Sequence, residues 1–480
     1  MRTHARSSLQ TLALTSALLA SGLVGCKAKP AEQPATRPVL FPDASPENVV
    51  AVTGSIFPAV VRLDVAQETY KDGRRTLQRG IGSGVIIDPQ GRVLTNYHVA
   101  GRAKEIYVTL YNKERVKGKL IGDDHWTDLA VVQIDMDEVK HKGISFASAP
   151  LGNSDQLKVG QPVMAIGTPF GLARTTTLGV VSNNERTFYP EKQNIDEFET
   201  GEFSNWIQMD TPIAPGNSGG PLVDLAGNVV GINTRGAAGY NLNFAIPINT
   251  AKNVIAQILA SAQTDRLGRV TRSDLGVDLK PMQDLEQFYE IDPNKGALVN
   301  SVDKMSPAAK AGLQPQDILL AINDRPINVR FPEEVAPARN RIASYPVGST
   351  LRLLIRRGKQ EMTLTATTDK LEGIVGEERE FKLWGMTVRE VTRPYANDNQ
   401  LDDDKGVVIT TLASGLPATK AELRPGDVIR NVEGTPITDL DSFIKAYDQT
   451  VSAKSKTVLV EYNRGRTRER AVLRPDYDKK

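Results

Sequence analysis

The chain has 480 residues and a net charge of +2, with 59 basic residues set against 57 acidic ones. At about 150 residues per domain there is room for about three domains, and the even charge gives no basic face of the kind a nucleic-acid partner needs. The single cysteine, Cys26, excludes an internal disulfide and a thiolate metal cluster.

The first element is N-terminal. Arg2 and Arg6 precede LQTLALTSALLASGLVGC, which carries no charge before Lys27. This apolar stretch is shorter than the about 20 residues a bilayer span takes, and it has the layout of a secretory signal. Its end, Leu23-Val24-Gly25-Cys26, resembles a bacterial lipobox. That resemblance implies removal of residues 1–25 and a diacylglycerol anchor on Cys26. By the same analogy, Lys27 in place of aspartate leans toward the outer membrane. A plain signal peptide or an uncleaved anchor, with Cys26 incidental, is the other reading. Residues 26–46 are proline-rich without an apolar period, as in an extended tether.

From Val49 to Ile248 the chain reads as short β segments between turns. They are AVVRLDV, GSGVIID, RVLTNYHV, EIYVTLYN, LAVVQID, QPVMAIG, TLGVVSN, NWIQMD and VVGINT. The second and third are joined by Asp88-Pro89-Gln90-Gly91, with proline in the second turn position. So many strands without helices between them predict a barrel or sandwich rather than a βαβ sheet. NTAKNVIAQILASAQ has helical spacing at Val254, Ile255 and Ile258 and closes a domain over residues 47–262.

Beyond Arg269 the sequence repeats itself. GALVNSVDKMSPAAKAGLQPQDILLAINDRPI begins at Gly296 and GVVITTLASGLPATKAELRPGDVIRNVEGTPI begins 110 residues later at Gly406. So long a period means two copies of one small domain, since solenoid repeats run about 20–50 residues. The copies are placed at 270–369 and 374–477. Each pairs strands with a short helix, and the pattern SPAAKAGLxPxDxI resembles a bacterial PDZ domain.

The chemistry centres on APGNSGGPL, with Ser218 among glycines. The segment fits the G-x-S-x-G elbow of an α/β-hydrolase, the serine loop of a chymotrypsin-type protease, or a plain glycine-rich turn. A serine hydroxyl needs a base to take its proton and a third group to hold that base. All four histidines, His4, His98, His125 and His141, precede Ser218. A hydrolase triad runs serine, acid, histidine along the chain, so its elbow is excluded. His4 lies in the signal, His125 in the polar loop GDDHWTD, and His141 in a solvated turn.

TNYHV, with His98, resembles the histidine motif of the HtrA/Deg family of serine proteases, and DDHWTDLAVVQI resembles its aspartate segment. GSGVIID, LGNSDQLKVGQPVMAIGTPFGL, IQMDTPIAPGNSGGPLVD and NFAIPI follow the family order, ahead of the two PDZ-like copies. The resemblance runs from about residue 49 to the end. It implies a mainly β chain, with a chymotrypsin-like double β-barrel followed by two small α+β PDZ domains. It also implies the triad His98, Asp128 and Ser218. Asp123 and Asp124 are rivals for the acid. Asp128 is preferred because it alone precedes the apolar strand directly, whereas loop aspartates are usually solvated.

The backbone N–H groups of Gly216 and Ser218 would form the oxyanion hole. Leu242 and Asn243 would line the primary specificity pocket, where the family more often has glycines beside the apolar residue. The peptide-carboxylate turns would be Leu275-Gly276-Val277 and Trp384-Gly385-Met386, each glycine leaving room for a carboxylate. Gln316 and Glu422 stand where the other repeat has Gly426 and Gly312, which puts turn geometry in question. Residues 184–205 form a long polar loop, read either as a regulatory loop or as a surface insertion.

The function expected is ATP-independent endoproteolysis of unfolded or misfolded proteins in the bacterial envelope, facing the periplasm. PDZ domains would bind peptide C-termini, and the chain would form a homotrimer or larger homo-oligomer. No nucleotide loop or metal-ligand cluster appears in the sequence, so no cofactor and no metal is implied. The alternative is a catalytically silent scaffold or chaperone holding clients on the same fold.

Overall fold

The computed structural model describes residues 42–168, 174–187, 199–201, 203, 205–237, 241–263 and 268–477. The signal segment, Cys26, most of the tether and residues 188–198 of the polar loop lie outside them.

The first described element is a helix that the strand-only reading passed over. α1 (Pro46–Ile56) is set by Ser45, whose hydroxyl accepts the Asn48 N–H, and by proline in its first turn. Val52 and Ile56 bury its inner face.

Six strands then close the first barrel: β1 (Val60–Lys71), β2 (Arg74–Ile86), β3 (Arg92–Thr95), β4 (Ala103–Thr109), β5 (Arg115–Asp124) and β6 (Leu129–Ile134), in the order β5-β4-β1-β2-β3-β6, with β6 returning to β5. RVLTNYHV is only half strand. After Thr95 it turns into α2 (Tyr97–Ala100), one helical turn carrying His98. α3 (Met136–His141) follows the barrel, so exposed His141 ends a helix rather than lying in a turn.

The second barrel is built from β7 (Pro162–Gly167), β8 (Thr175–Arg186), β9 (Trp206–Met209), β10 (Pro221–Asp224), β11 (Val229–Ala237) and β12 (Leu242–Pro247). It closes in the order β10-β11-β12-β9-β8-β7. Strand alternation sends Ala130 and Val132 into the first barrel's interior and Val131 into the layer between the barrels. That layer also takes Met164, Trp206, Phe244 and Ile246 from the second barrel. α4 (Ile248–Ser261) seals it with Val254 and Ile258, the positions its spacing predicts.

The segment after α4 returns to the protease as β13 (Gly268–Arg269), pairing parallel to β5. The first repeat holds β14 (Ser273–Asp274), β15 (Val277–Lys280), β16 (Ala297–Val302), α5 (Pro307–Lys310), β17 (Ile318–Ile322), β18 (Arg325–Pro326), α6 (Val335–Ala343), β19 (Thr350–Arg357), β20 (Gln360–Thr367) and β21 (Asp369–Lys370). The second holds β22 (Glu378–Phe381), β23 (Met386–Glu390), α7 (Arg393–Asp398), β24 (Val407–Leu412), α8 (Pro417–Lys420), β25 (Val428–Val432), β26 (Thr435–Pro436), α9 (Leu440–Ser452), β27 (Val458–Arg464) and β28 (Thr467–Leu473).

The internal repeat is visible atom by atom. Asp317 takes a bidentate Arg357 at 2.7 and 2.7 Å, and Asp427 takes Arg464 at 2.8 and 2.7 Å. Each arginine also donates to the carbonyl of a matching turn residue, Gly312 or Glu422. The two departures from glycine leave the turns intact: Gln316 has φ +75° and Glu422 φ +62°, left-handed like Gly426 and Gly312.

Candidate active site

Asp128 sits where β5 ends and β6 begins. The chain leaves Asp124, makes a tight turn through His125–Thr127, and enters β6 with Asp128 at φ +61°. A left-handed aspartate is uncommon and is held here from several sides. Its N–H donates to the His125 carbonyl at 3.1 Å, and its own carbonyl accepts the Asn96 side-chain amide at 3.0 Å. The carboxylate, fully buried, accepts the His98 backbone N–H at 3.1 Å and lies 2.9 and 3.0 Å from His98 Nδ1. A carboxylate only accepts, so the ring proton sits on Nδ1 and Nε2 keeps its lone pair.

Thr234 was absent from the sequence reading. Its hydroxyl donates to Asp128 Oδ2 at 2.6 Å, and its carbonyl accepts the Ser218 hydroxyl at 2.8 Å. One residue of β11 thus touches both the acid and the serine. The signal was the VVGINT strand itself, but nothing in it marks a hydroxyl aimed at a carboxylate 106 residues away. Arg235, next along, lies over the Trp206 ring at 4.9 Å. Burial pushes its guanidinium down to about 10, with the Asp128 charge pulling the other way.

The serine loop is fixed by β2. Ser83 donates its N–H to the Ser218 carbonyl at 2.8 Å and its hydroxyl to the Gly216 carbonyl at 2.6 Å. With both carbonyls turned to β2, the N–H groups of Gly216 and Ser218 donate to no backbone carbonyl among the described residues. Gly219 must be glycine, because a Cβ there would lie 2.2 Å from both the Ser83 carbonyl and the Thr95 hydroxyl. Leu242 begins β12 partly exposed. Asn243 is buried, and its side-chain Oδ1 accepts the Ile213 N–H at 3.3 Å on the approach to the serine loop.

The rival acids correct an expectation. Asp123 and Asp124 are not solvated loop residues: they end β5 and are as buried as Asp128. Partners separate them instead. Asp124 pairs with Arg272 and accepts the Thr127 hydroxyl at 2.7 Å, while among the described residues Asp123 has only Arg269 at 3.8 Å. Burial, reinforced by Asp124, lifts the Asp123 carboxyl to about 7 against the pull of Arg269. The His125 ring packs against Tyr97 and Trp126, with centroids at 5.6 and 4.2 Å.

The described part of the polar loop touches the acid turn and the first repeat. Gly201 and Phe203 donate backbone N–H groups to the His125 and Trp126 carbonyls at 2.9 and 3.0 Å. The Phe203 ring meets Trp126 edge-on on one side and Arg339 of α6 on the other.

The glycines of the two PDZ turns, Gly276 and Gly385, are closely packed where a Cβ would sit. The space they leave is filled from within. A Cβ on Gly276 would lie 2.2 Å from Ser306 Cβ, and one on Gly385 would lie 2.3 Å from Leu416 Cβ. The missing side chain admits the start of α5 or α8.

Comparison with known proteins agrees with this architecture. A family model described as trypsin-like peptidase domain matches residues 82–232, and one described as PDZ domain matches 273–368 and 385–473. A "Probable periplasmic serine endoprotease DegP-like" from Pseudomonas savastanoi pv. phaseolicola is 38% identical over 387 residues, covering 78% of this chain and 74% of its own length. A protein of the same name from Chlamydia trachomatis serovar D is 33% identical over 418 residues, covering 85% of this chain and 78% of its own. Among solved structures, the HtrA-type protease AlgW with tripeptide is 30% identical, with a TM-score of 0.56 over 67% of this chain and 97% of that one. The chain belongs to the HtrA/DegP-like family of serine endoproteases.

Proposed function

We propose that Ser218, His98 and Asp128 carry out this peptide-bond hydrolysis, and that its substrates are unfolded or misfolded proteins met in the periplasm without help from ATP. The observation that carries the reading is the buried Asp128 carboxylate holding His98 Nδ1 while Thr234 links that carboxylate to the Ser218 hydroxyl. In the reaction, the Ser218 hydroxyl leaves the Thr234 carbonyl, gives its proton to His98 Nε2 and bonds to the scissile carbonyl carbon. The oxygen that gains charge is met by the N–H groups of Gly216 and Ser218. The imidazolium, steadied by Asp128, then protonates the leaving amine, and water repeats the sequence on the acyl-enzyme.

Leu242 and Asn243 form the pocket for the residue before the cut, which favours a small or medium aliphatic side chain. The first PDZ repeat takes peptide C-termini. Leu275 and Gly276 precede β15, which among the described residues pairs only with β16, so a peptide can add as the next strand. The N–H groups of Leu275 and Gly276 donate to no backbone carbonyl among the described residues. Family resemblance supports assembly into trimers or larger homo-oligomers. Cys26 attaches the mature chain to the membrane, outer rather than inner; palmitate labelling lost in Cys26→Ser is the expected sign.

The test of the catalytic reading is a serine-reactive fluorophosphonate. It should modify Ser218 alone, and casein digestion should cease in step with labelling. Digestion that persists after full labelling, or label on another serine, removes Ser218 from the role.

A further inference from the structure

The two PDZ repeats share a sequence pattern but not a binding edge. In the first repeat the residues ahead of the Gly276 turn are taken by the protease: Gly268–Arg269 form β13 on β5, and Arg272 pairs with Asp124. In the second repeat the residues at the same distance ahead of Gly385 fold back as β22. Glu378–Phe381 pair along β23 in the register Glu378↔Arg389 to Phe381↔Met386. β23 is therefore paired on both sides, by β22 and by β24, and the edge a peptide would join is already filled. The turn is closed as well. The N–H groups of Trp384 and Gly385 both donate to the Phe381 carbonyl, at 3.1 and 2.9 Å.

Something does sit on that turn. β1 and β2 extend well beyond the barrel as a long hairpin, paired from Val60↔Val85 out to Lys71↔Arg74. Its two-residue tip is Asp72-Gly73, with φ +52° and +70°, both left-handed as a type I′ turn requires. A hairpin tip is normally wet, yet Gly73 is buried between exposed Asp72 and Arg74. Its N–H donates to the Thr411 hydroxyl of β24 at 2.8 Å. A Cβ on Gly73 would lie 2.3 Å from the Ala413 nitrogen and 2.8 Å from the Gly385 carbonyl oxygen. The backbone of the protease arm thus lies directly on the backbone of the second repeat's turn. Tyr70, on the same arm, has its phenol pushed up to about 12 by burial and by Glu68 and Glu378, the last of these on β22.

We propose that the second PDZ repeat is an intramolecular dock for the β1–β2 arm of the protease domain, and that it is closed to peptide C-termini. The division of labour follows from one segment used in two ways. Where the protease captures the residues ahead of the turn, the groove stays open. Where those residues fold back, the repeat closes and becomes a surface for the arm. The dock also has an address in the protease, because β2 carries, near its far end, Ser83, which holds the carbonyls of Gly216 and Ser218. The proposal rests on the reading of the first repeat as a peptide receptor only for the contrast between the two.

The test is hydrogen exchange read by mass spectrometry on the full-length chain. Residues 70–76 should be protected in the wild type. They should exchange at least tenfold faster in Thr411→Val, which removes the acceptor but leaves the hairpin turn untouched, and in Gly73→Ala, which places a methyl against the dock. The barrel end of the hairpin near Leu63 and Gly82 should not change, which separates undocking from unfolding. A wild-type tip that exchanges as an open amide, or variants that match the wild type, overturns the dock. A decapeptide ending in Val-Val with a free carboxylate should slow exchange at 275–280 and leave 384–390 unchanged. Slowing at 384–390 overturns the closure of the second repeat. Slowing at neither site overturns the peptide reading of the first repeat and leaves the dock to be judged on the tip alone.

Discussion

Two residues that a sequence reading could not rank govern the site's electrostatics. Thr234 supplies one of the hydrogen bonds to a fully buried carboxylate, and bonds to charged groups are worth about 1.5–3 kcal/mol. Thr234→Val keeps the shape and removes the donor, so kcat should fall about 10–100-fold with KM nearly unchanged, since about 1.4 kcal/mol is tenfold in rate. Thr234→Ser should restore most of the rate; a serine variant as slow as valine would point to packing instead. Asp123 acts on stability. Its folded carboxyl lies near 7, against 3.8 as the ordinary value, chiefly through burial. A carboxyl raised on folding contributes its stability fully below the unfolded value and loses it as pH rises through the folded one. Asp123→Asn, neutral throughout, should therefore melt close to wild type near pH 4 and be the more stable protein above pH 8. The three-unit shift sets a ceiling of about 4 kcal/mol on that gain. Melting curves displaced equally at both pH values would show that the charge is not the cause.

At the scale of elements, the turns of the repeats give a direct experiment. Gln316 and Glu422 occupy left-handed backbone that glycine takes without steric cost. Gln316→Gly should raise the stability of the first repeat by about 0.5–1 kcal/mol, read as a higher midpoint of its thermal transition. A lower midpoint would mean that the glutamine side chain contributes more than its backbone costs. The same elements show what the sequence discloses. Strands with β-branched runs, such as LAVVQI and VMAIG, are legible because alternation and composition agree. β5, RVKGKLIGDD, was missed because its outward positions are lysine and arginine, and its buried end is two aspartates that read as a loop. β10 was hidden inside the serine motif, and α1 at the start of the segment that read as strands alone. His98, Asp128 and Ser218 were legible from motif order, whereas Thr234 and Ser83 act through hydrogen bonds that only the closed barrels bring about. The hairpin signal Lys71-Asp72-Gly73-Arg74 was in plain view, but its burial depends on a domain more than 300 residues away.

For the whole molecule, the question is what keeps two repeats in register with each other and with the protease. Arg393 at the start of α7 is the bolt between the repeats. Buried, it reaches Asp274 of β14 at 2.6 Å and Asp369 of β21 at 3.6 Å, and its backbone N–H donates to Glu372 at 3.0 Å. The charge around it is lopsided. The Asp303 carboxyl is raised first by burial and then by Asp274, with Asp278 and Asp398 adding to this and Arg393 opposing it. Removing one partner of a buried pair costs about 3–5 kcal/mol, because the other charge stays behind. Arg393→Met keeps the length of the side chain and leaves Asp274 and Asp303 facing each other without a cation. Two like charges at such a junction repel until one takes a proton, so the defect has a pH signature. At pH 8 the variant should open between the repeats, seen as a larger radius of gyration in solution scattering and as faster protease nicking at 371–377. As pH falls, the Asp303 carboxyl, raised above its ordinary value, takes a proton, and the variant should close toward wild-type dimensions. Since Asp303 is raised on folding, its contribution to stability is present at low pH and lost as pH climbs, the same direction as the opening. A variant that scatters like wild type at pH 8 would show that apolar packing around Met305, Val391 and Ala396 holds the repeats without the bolt.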